Sequence, residues 1–168
     1  MSERAPFSAP LFDVDAAVAW REEQRSRGRI VVFTNGCFDV LHAGHVSYLA
    51  WAREQGDALI VGLNEDDSVR GIKGRARPIV PFGDRAALLR ALRSVDAVVG
   101  FAAPTPEIVL DRIRPDVHVK SEQYREDELP ERSVVLRHGG RIALAPHAAG
   151  KSTTETIARI LDAYSRHG

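Results

Sequence analysis

Short apolar runs, VVF at 31–33, LIVGL at 59–63, AVVGF at 97–101 and VHV at 117–119, are separated by connections long enough to hold a helix. That spacing limits the fold more than any other feature of the chain. Runs apolar at consecutive positions are buried on both faces, as in parallel strands covered by helices on either side. With a fifth run at 141–145, the pattern predicts a doubly wound α/β fold: a five-stranded parallel Rossmann-like sheet with helices on both faces. Its ligand crevice is expected beyond the carboxyl ends of the strands. A β-sandwich would need tight hairpins in place of these connections.

Residues 1–10 hold two prolines and two serines without any period and read as a loose arm. A short helix is expected over about 14–27, closed by Gly28, so the organisation reads as 1–28, arm and short helix, and 29–168, one domain. Further helices are expected from about Gly44 to Gly56 and over 84–93, 105–112, 126–138 and 152–164. In the helix near Asp84, Ala87, Leu88, Ala91 and Leu92 form the expected inner face, and Arg85, Arg90 and Arg93 point elsewhere. The connection 64–82, rich in Gly, Pro and basic residues, reads as a partly ordered flap near the crevice.

The 168 residues, 44% of them hydrophobic, suffice for one core, and 23 Lys+Arg balance 23 Asp+Glu. An even balance gives no long-range pull on nucleic acid or on an anionic membrane, so a bound phosphate has to be held by local groups. Cys37 is the one cysteine and cannot form an intrachain disulfide. No apolar run approaches the roughly 20 residues that span a bilayer, and the start lacks a signal-like block. A cytoplasmic protein without nucleic-acid or membrane partners is expected.

The stretch TNGCFDVLHAGH, residues 34–45, follows the first strand directly and lies at the expected crevice mouth. Gly36 and Gly44 permit close backbone approach to a ligand, and the amides of a helix start can meet phosphate oxygens. His42 and His45 can share one helix face. Their ring N–H groups could donate to phosphate oxygens during transfer without becoming nucleophiles. Two other readings stay open. One histidine caps a turn while the other lies on the surface, or His42, His45, Cys37 and Asp39 surround a zinc ion, for which their spacing is unusually compact. The stretch is neither a Walker loop nor a glycine-triplet dinucleotide fingerprint.

Over residues 30–160 the chain resembles the cytidylyltransferase-like nucleotidyltransferase superfamily, whose HxGH element here is His42-Ala43-Gly44-His45. TNGCFDVLHAGHVSYLAWAREQGDALIVGLNEDDSVRGIKGRARP is similar to the adenylyltransferase half of the bacterial bifunctional heptose kinase/adenylyltransferases, expected here as a free-standing domain. The resemblance implies transfer of AMP from ATP, with magnesium, to D-glycero-β-D-manno-heptose 1-phosphate, giving ADP-heptose and pyrophosphate. It also implies a homodimer and a separate sugar kinase as functional partner. The alternative is a CTP-dependent enzyme acting on glycerol 3-phosphate or another polyol or sugar phosphate, a group that typically has Thr where this chain has Cys37. A nucleotide-binding protein without turnover is the reading outside enzymology.

The same resemblance assigns residues. His42 and His45 stabilise the transferring phosphate, Lys73 acts from a mobile loop, and Asp39 orients the acceptor or, with Asp66, assists magnesium. Thr34, Asn35, Gly36, Phe38 and Gly44 surround the nucleotide, with Arg77 and Arg85 as phosphate candidates. Lys120 ends a strand, and the following Ser121-Glu122-Gln123-Tyr124 replaces a glycine-rich GGDY-like loop, so Gln123 could bond a base or sugar. Lys151, Ser152, Thr153 and Thr154 resemble the terminal STT element, a second helix start able to hold triphosphate oxygens. Plainer roles compete with several of these: Phe38 as core, Asp39 as turn cap, Asp66 as solvated acid, Ser152 as N-cap, Gln123 as surface loop.

Overall fold

A computed structural model describes residues 9–146 and 152–165. Its elements in chain order are β1 (Leu11–Phe12), α1 (Val14–Ser26), β2 (Val31–Gly36), α2 (Ala43–Arg53), β3 (Ala58–Asn64), α3 (Asp66–Lys73) and α4 (Phe82–Arg90). Then come β4 (Ala97–Phe101), α5 (Glu107–Ile113), β5 (Val117–Ser121), a 3-10 turn at Glu126–Glu128, α6 (Arg132–Arg137), β6 (Arg141–Ala145) and α7 (Thr153–Ser165). All strand pairs are parallel, in the order β1-β4-β3-β2-β5-β6. From β2 the chain steps one way to β3 and β4, then returns to the other side of β2 for β5 and β6. That reversal opens a crevice above the carboxyl ends of β2 and β5.

The doubly wound parallel architecture matches the expectation, but the sheet has six strands where five were expected. The additional strand pairs Leu11 with Val98 and Phe12 with Val99, and two residues are too few to register as an apolar run. Ala9 and Pro10, expected in a loose arm, are held against the sheet: Ala9 N donates to Arg90 O at 3.3 Å and Pro10 O accepts from Val98 N at 3.0 Å. The connection 64–82 contains a regular helix, α3, and the helix expected over 126–138 is divided into the 3-10 turn and α6.

Alternate strand residues feed two cores. On one face Val32, Leu59, Val61, Leu63, Val98 and Val119 meet Leu49 and Ala52 of α2 and Ala86 and Leu89 of α4. On the other, Val31, Phe33, Ile60 and Val99 meet Ala17 of α1, Leu110 and Ile113 of α5, and Val134 and Val135 of α6. Every residue of β3 is buried, as an inner strand covered on both sides must be. α4 turns a different face inward from the expected one. Arg85, Ala86 and Leu89 are buried while Leu88 is 45% exposed, so Arg85 is not a surface residue.

Candidate functional site

β2 runs through Asn35 and ends at Gly36. A Cβ on Gly36 would lie 3.1 Å from Phe38 Cε2, so the glycine makes room for that ring. The reversal falls to Phe38 (φ 45) and Val40 (φ 53), both left-handed without being glycine. Such conformations persist where the surroundings over-determine them, and Asp39, between the two, is 1% exposed. Its Oδ1 accepts from Val80 N at 2.8 Å, and its Oδ2 from Ile79 N at 2.8 Å and from Arg77 Nε at 2.5 Å. Burial alone would raise the Asp39 pKa, but the two amides and the guanidinium outweigh it and hold the carboxyl below the usual range.

His42 is the N-cap of α2. Its Nδ1 accepts from Gly44 N at 3.1 Å, and Nδ1 of His45 accepts from His42 N at 3.4 Å, a reciprocal cap. An imidazole that accepts at Nδ1 carries its proton on Nε2 when neutral. Both rings therefore present an Nε2–H donor. They stack with centroids 3.8 Å apart, and His45 meets Phe38 edge-on at 5.4 Å. Burial, with His42 beside it and Asp39 opposing, pushes the His45 pKa down to about 4. Burial lowers His42 as well, against the pull of Glu155. Two stacked imidazoles held neutral near pH 7 carry no fixed charge of their own and are chemically able to donate to an anion.

The start of α7 comes to the same place. Thr153 Oγ1 donates to Asp39 O at 2.8 Å. Ser152 Oγ accepts from Glu155 N at 3.1 Å while Glu155 Oε2 accepts from Ser152 N at 3.0 Å, so the N-cap role holds for Ser152. Between this helix start and the histidine turn lies a cavity of about 530 Å³. Asn35, Gly36, Phe38, Asp39, His42, Gly44 and His45 line it from the β2 turn, and Lys73 and Arg77 from the α3 side. Lys120 near the end of β5 and Gln123 just after that strand line it too, as do Ser152, Thr153 and Thr154 at the start of α7. Lys151 lies outside the described residues.

Three expected site residues are engaged elsewhere. Thr34 is fully buried, and its hydroxyl meets Val119 O at 3.0 Å and Tyr48 Oη at 2.7 Å. Arg85, 1% exposed, donates to Val80 O, Cys37 O and Asn64 O at 2.9, 2.6 and 2.9 Å and to Asp66 Oδ1 at 2.7 Å. It ties the chain together beneath the cavity, and its partner Asp66 does not line the cavity. With Asp66 held by Arg85 and Asp39 by Arg77 and two amides, the two carboxylates do not fit as a protein-built magnesium site. Among the described residues no group of three or more His, Cys, Asp or Glu is placed to hold a metal ion. A divalent ion here would find its ligands on triphosphate oxygens.

The cavity also has walls not singled out from sequence. Tyr48 lines it, and its hydroxyl donates to Val119 O at 3.0 Å. It sits one helical turn after His45, a spacing that could have marked it. Asn64, Ile72, Pro104 and Pro146 also contribute, and their types carry no comparable signal.

Residues 33–158 match the cytidylyltransferase-like family. The chain is 47% identical over 145 residues to bifunctional protein HldE of Syntrophotalea carbinolica, an alignment covering 86% of this chain and 30% of that protein. It is 51% identical over 142 residues to bifunctional protein HldE of Mesorhizobium japonicum, covering 84% and 28%. The chain therefore spans less than a third of the length of these relatives. Among solved structures, the lipopolysaccharide core biosynthesis protein of Thermoplasma volcanium aligns with TM-score 0.59 and 28% identity over 72% of this chain and 98% of that one. Pantoate-beta-alanine ligase of Francisella tularensis aligns with TM-score 0.59 over 87% of this chain and 69% of that one, at 13% identity, which speaks to fold alone. No helix among the described residues is long and apolar enough to cross a membrane.

Proposed function

The chain belongs to the cytidylyltransferase-like family, and from that premise we propose that it transfers AMP from ATP to D-glycero-β-D-manno-heptose 1-phosphate. A phosphate oxygen of the sugar attacks the α-phosphorus, the bond to the β-phosphate oxygen breaks, and ADP-heptose and pyrophosphate leave. The Nε2–H groups of His42 and His45 donate to the phosphate oxygens as charge shifts in the transition state. The amides at the starts of α2 and α7 add partial positive charge, and Lys73 supplies a mobile cation. Asn35, Lys120 and Gln123 face the nucleotide, and Arg77 holds the wall through Asp39. Magnesium would arrive on the triphosphate as part of the substrate. A homodimer in the cytoplasm, fed by a sugar kinase, completes the proposal.

The observation that carries this reading is the Thr153–Asp39 bond, which brings the late hydroxyl-rich helix start to the histidine turn at one cavity. The similarity to HldE proteins supports the choice among nucleotidyltransferases. The test is a matrix of ATP and CTP against sugar and polyol phosphates with magnesium, read by pyrophosphate release and product mass. ADP-heptose from ATP and the heptose phosphate is the expected product. Turnover of CTP with glycerol 3-phosphate instead would overturn both nucleotide and acceptor, and nucleotide binding without any product would remove the enzyme assignment.

A further inference from the structure

Behind Lys120 on the β5 wall of the cavity lie two buried polar groups, His118 and Glu131, that the proposed chemistry has not used. Lys120 Nζ stands 3.1 Å from Glu131 Oε1, and His118 Nε2 stands 3.1 Å from the same oxygen. Glu131 is 2% exposed and His118 0%. His118 and Lys120 are two residues apart on β5 and so share one face of the strand, while Glu131 stands at the start of α6. Lys120 Nζ also reaches Asn35 Oδ1 at 3.5 Å and lies 5.2 Å from the Tyr124 ring centroid. Of the three charged or titratable groups, only Lys120 lines the cavity.

Burial works against the Glu131 charge, but the His118 hydrogen bond and the Lys120 ammonium outweigh it and hold its pKa at about 2. Burial lowers His118 more than Glu131 raises it, so the imidazole is neutral and donates its Nε2–H. The net charge of the Lys120–Glu131 pair is then zero. A buried ion pair is weak evidence for stability, since apolar replacements often serve as well. What this pair does achieve is direction. A lysine normally swings as a mobile point charge, whereas here its nitrogen is anchored to a carboxylate that cannot itself move into water.

We propose that Glu131 is a positioning residue for nucleotide binding, fixing Lys120 Nζ beside Asn35 as a directed donor to an oxygen of the nucleoside triphosphate in the cavity. This rests on the nucleotidyltransferase reading of the same cavity. Lys120 contributes a hydrogen bond of set geometry, and the attraction for the triphosphate's charge comes from Lys73 and the two helix starts. His118 donates to the same Glu131 oxygen that Lys120 meets, and it reaches the ligand only through Glu131 and Lys120.

The test is a double-mutant cycle on the dissociation constant of ATP with magnesium, measured by calorimetry on the full chain. Glu131→Gln and Lys120→Met should each weaken ATP by about tenfold, the scale of one charge-assisted hydrogen bond. The double variant should lose no more than either single one, because Glu131 acts through Lys120. A purely structural role for Glu131 would instead give losses that multiply. Should Glu131→Gln fail to fold, Glu131→Asp keeps the charge, draws it back from Lys120, and should show the same dependence. Losses that multiply, or ATP affinity unchanged in the Glu131 variant, overturn the inference and leave the reaction assignment standing. A wild-type chain that binds no nucleoside triphosphate overturns both.

Discussion

The Thr153 hydroxyl donates to the Asp39 carbonyl at 2.8 Å, joining residues 114 positions apart. The same Asp39 uses its carboxylate to hold Arg77, Ile79 and Val80. Three segments distant in sequence thus meet at one residue, and the cavity wall depends on it.

Thr153→Val keeps the side-chain shape and removes the tether. We expect unfolding free energy to fall by about 1 kcal/mol and kcat/KM for the nucleotide to fall about tenfold, with Thr153→Ser restoring both. Urea denaturation and initial-rate kinetics measure the two effects.

His45→Ala should lower turnover by about 10²-fold or more, because it removes an aligned donor to the transferring phosphate. Circular dichroism should show the fold retained. Turnover equal to that of the wild type would take His45 out of the mechanism.

Protonation of the histidine pair provides a test without substrate. Folding depresses the His45 pKa from 6.5 to about 4, so between those values the unfolded chain binds a proton that the folded chain refuses. That part of the stability is intact above the unfolded value and is lost as pH falls through the window. The drop in urea midpoint from about pH 7 to about pH 5 should be smaller in His45→Gln than in the wild type, and an equal drop would contradict the depressed value.

Arg85→Met strips three backbone carbonyls and Asp66 of their donor. We expect a loss of about 3 kcal/mol or more, as for other broken buried charge networks. Arg85→Lys should not restore it, since one ammonium cannot reproduce the planar fork. Equilibrium denaturation decides, and a variant as stable as the wild type would contradict the buried role.

Gly36→Ala places a Cβ 3.1 Å from the Phe38 ring, which in turn packs edge-on against His45. The ring has to give by a few tenths of an ångström. We expect turnover to fall about tenfold through misplacement of His45, against a smaller change in melting temperature. Unchanged kinetics would show that the ring moves without dragging the imidazole.

What could be read from the chain beforehand follows from how each feature is encoded. Consecutive apolar residues in a covered parallel strand leave a local mark, so β2 to β6 were visible, as was the pairing of histidine turn and STT segment at strand ends. Leu11–Phe12 left none, because a two-residue strand exists only through its partner β4. Hydrophobicity alone misplaces the inner face of α4, because the largest side chain that helix buries is Arg85, satisfied by carbonyls from three other segments. Gly36 reads from sequence as room for a ligand, whereas what stands against its missing Cβ is the Phe38 ring, and the reversal is made at Phe38 and Val40. Glu131 carried no local signal, since its function is defined by Lys120 and His118 across the fold.

The brevity of β1 bears on how copies of this chain can meet. A sheet margin that offers two residues of ladder gives an incoming strand almost nothing to zip onto. On that flank, fibril-like growth is discouraged by geometry. Any pairing of two molecules there would have to draw on side chains far more than on a backbone ladder.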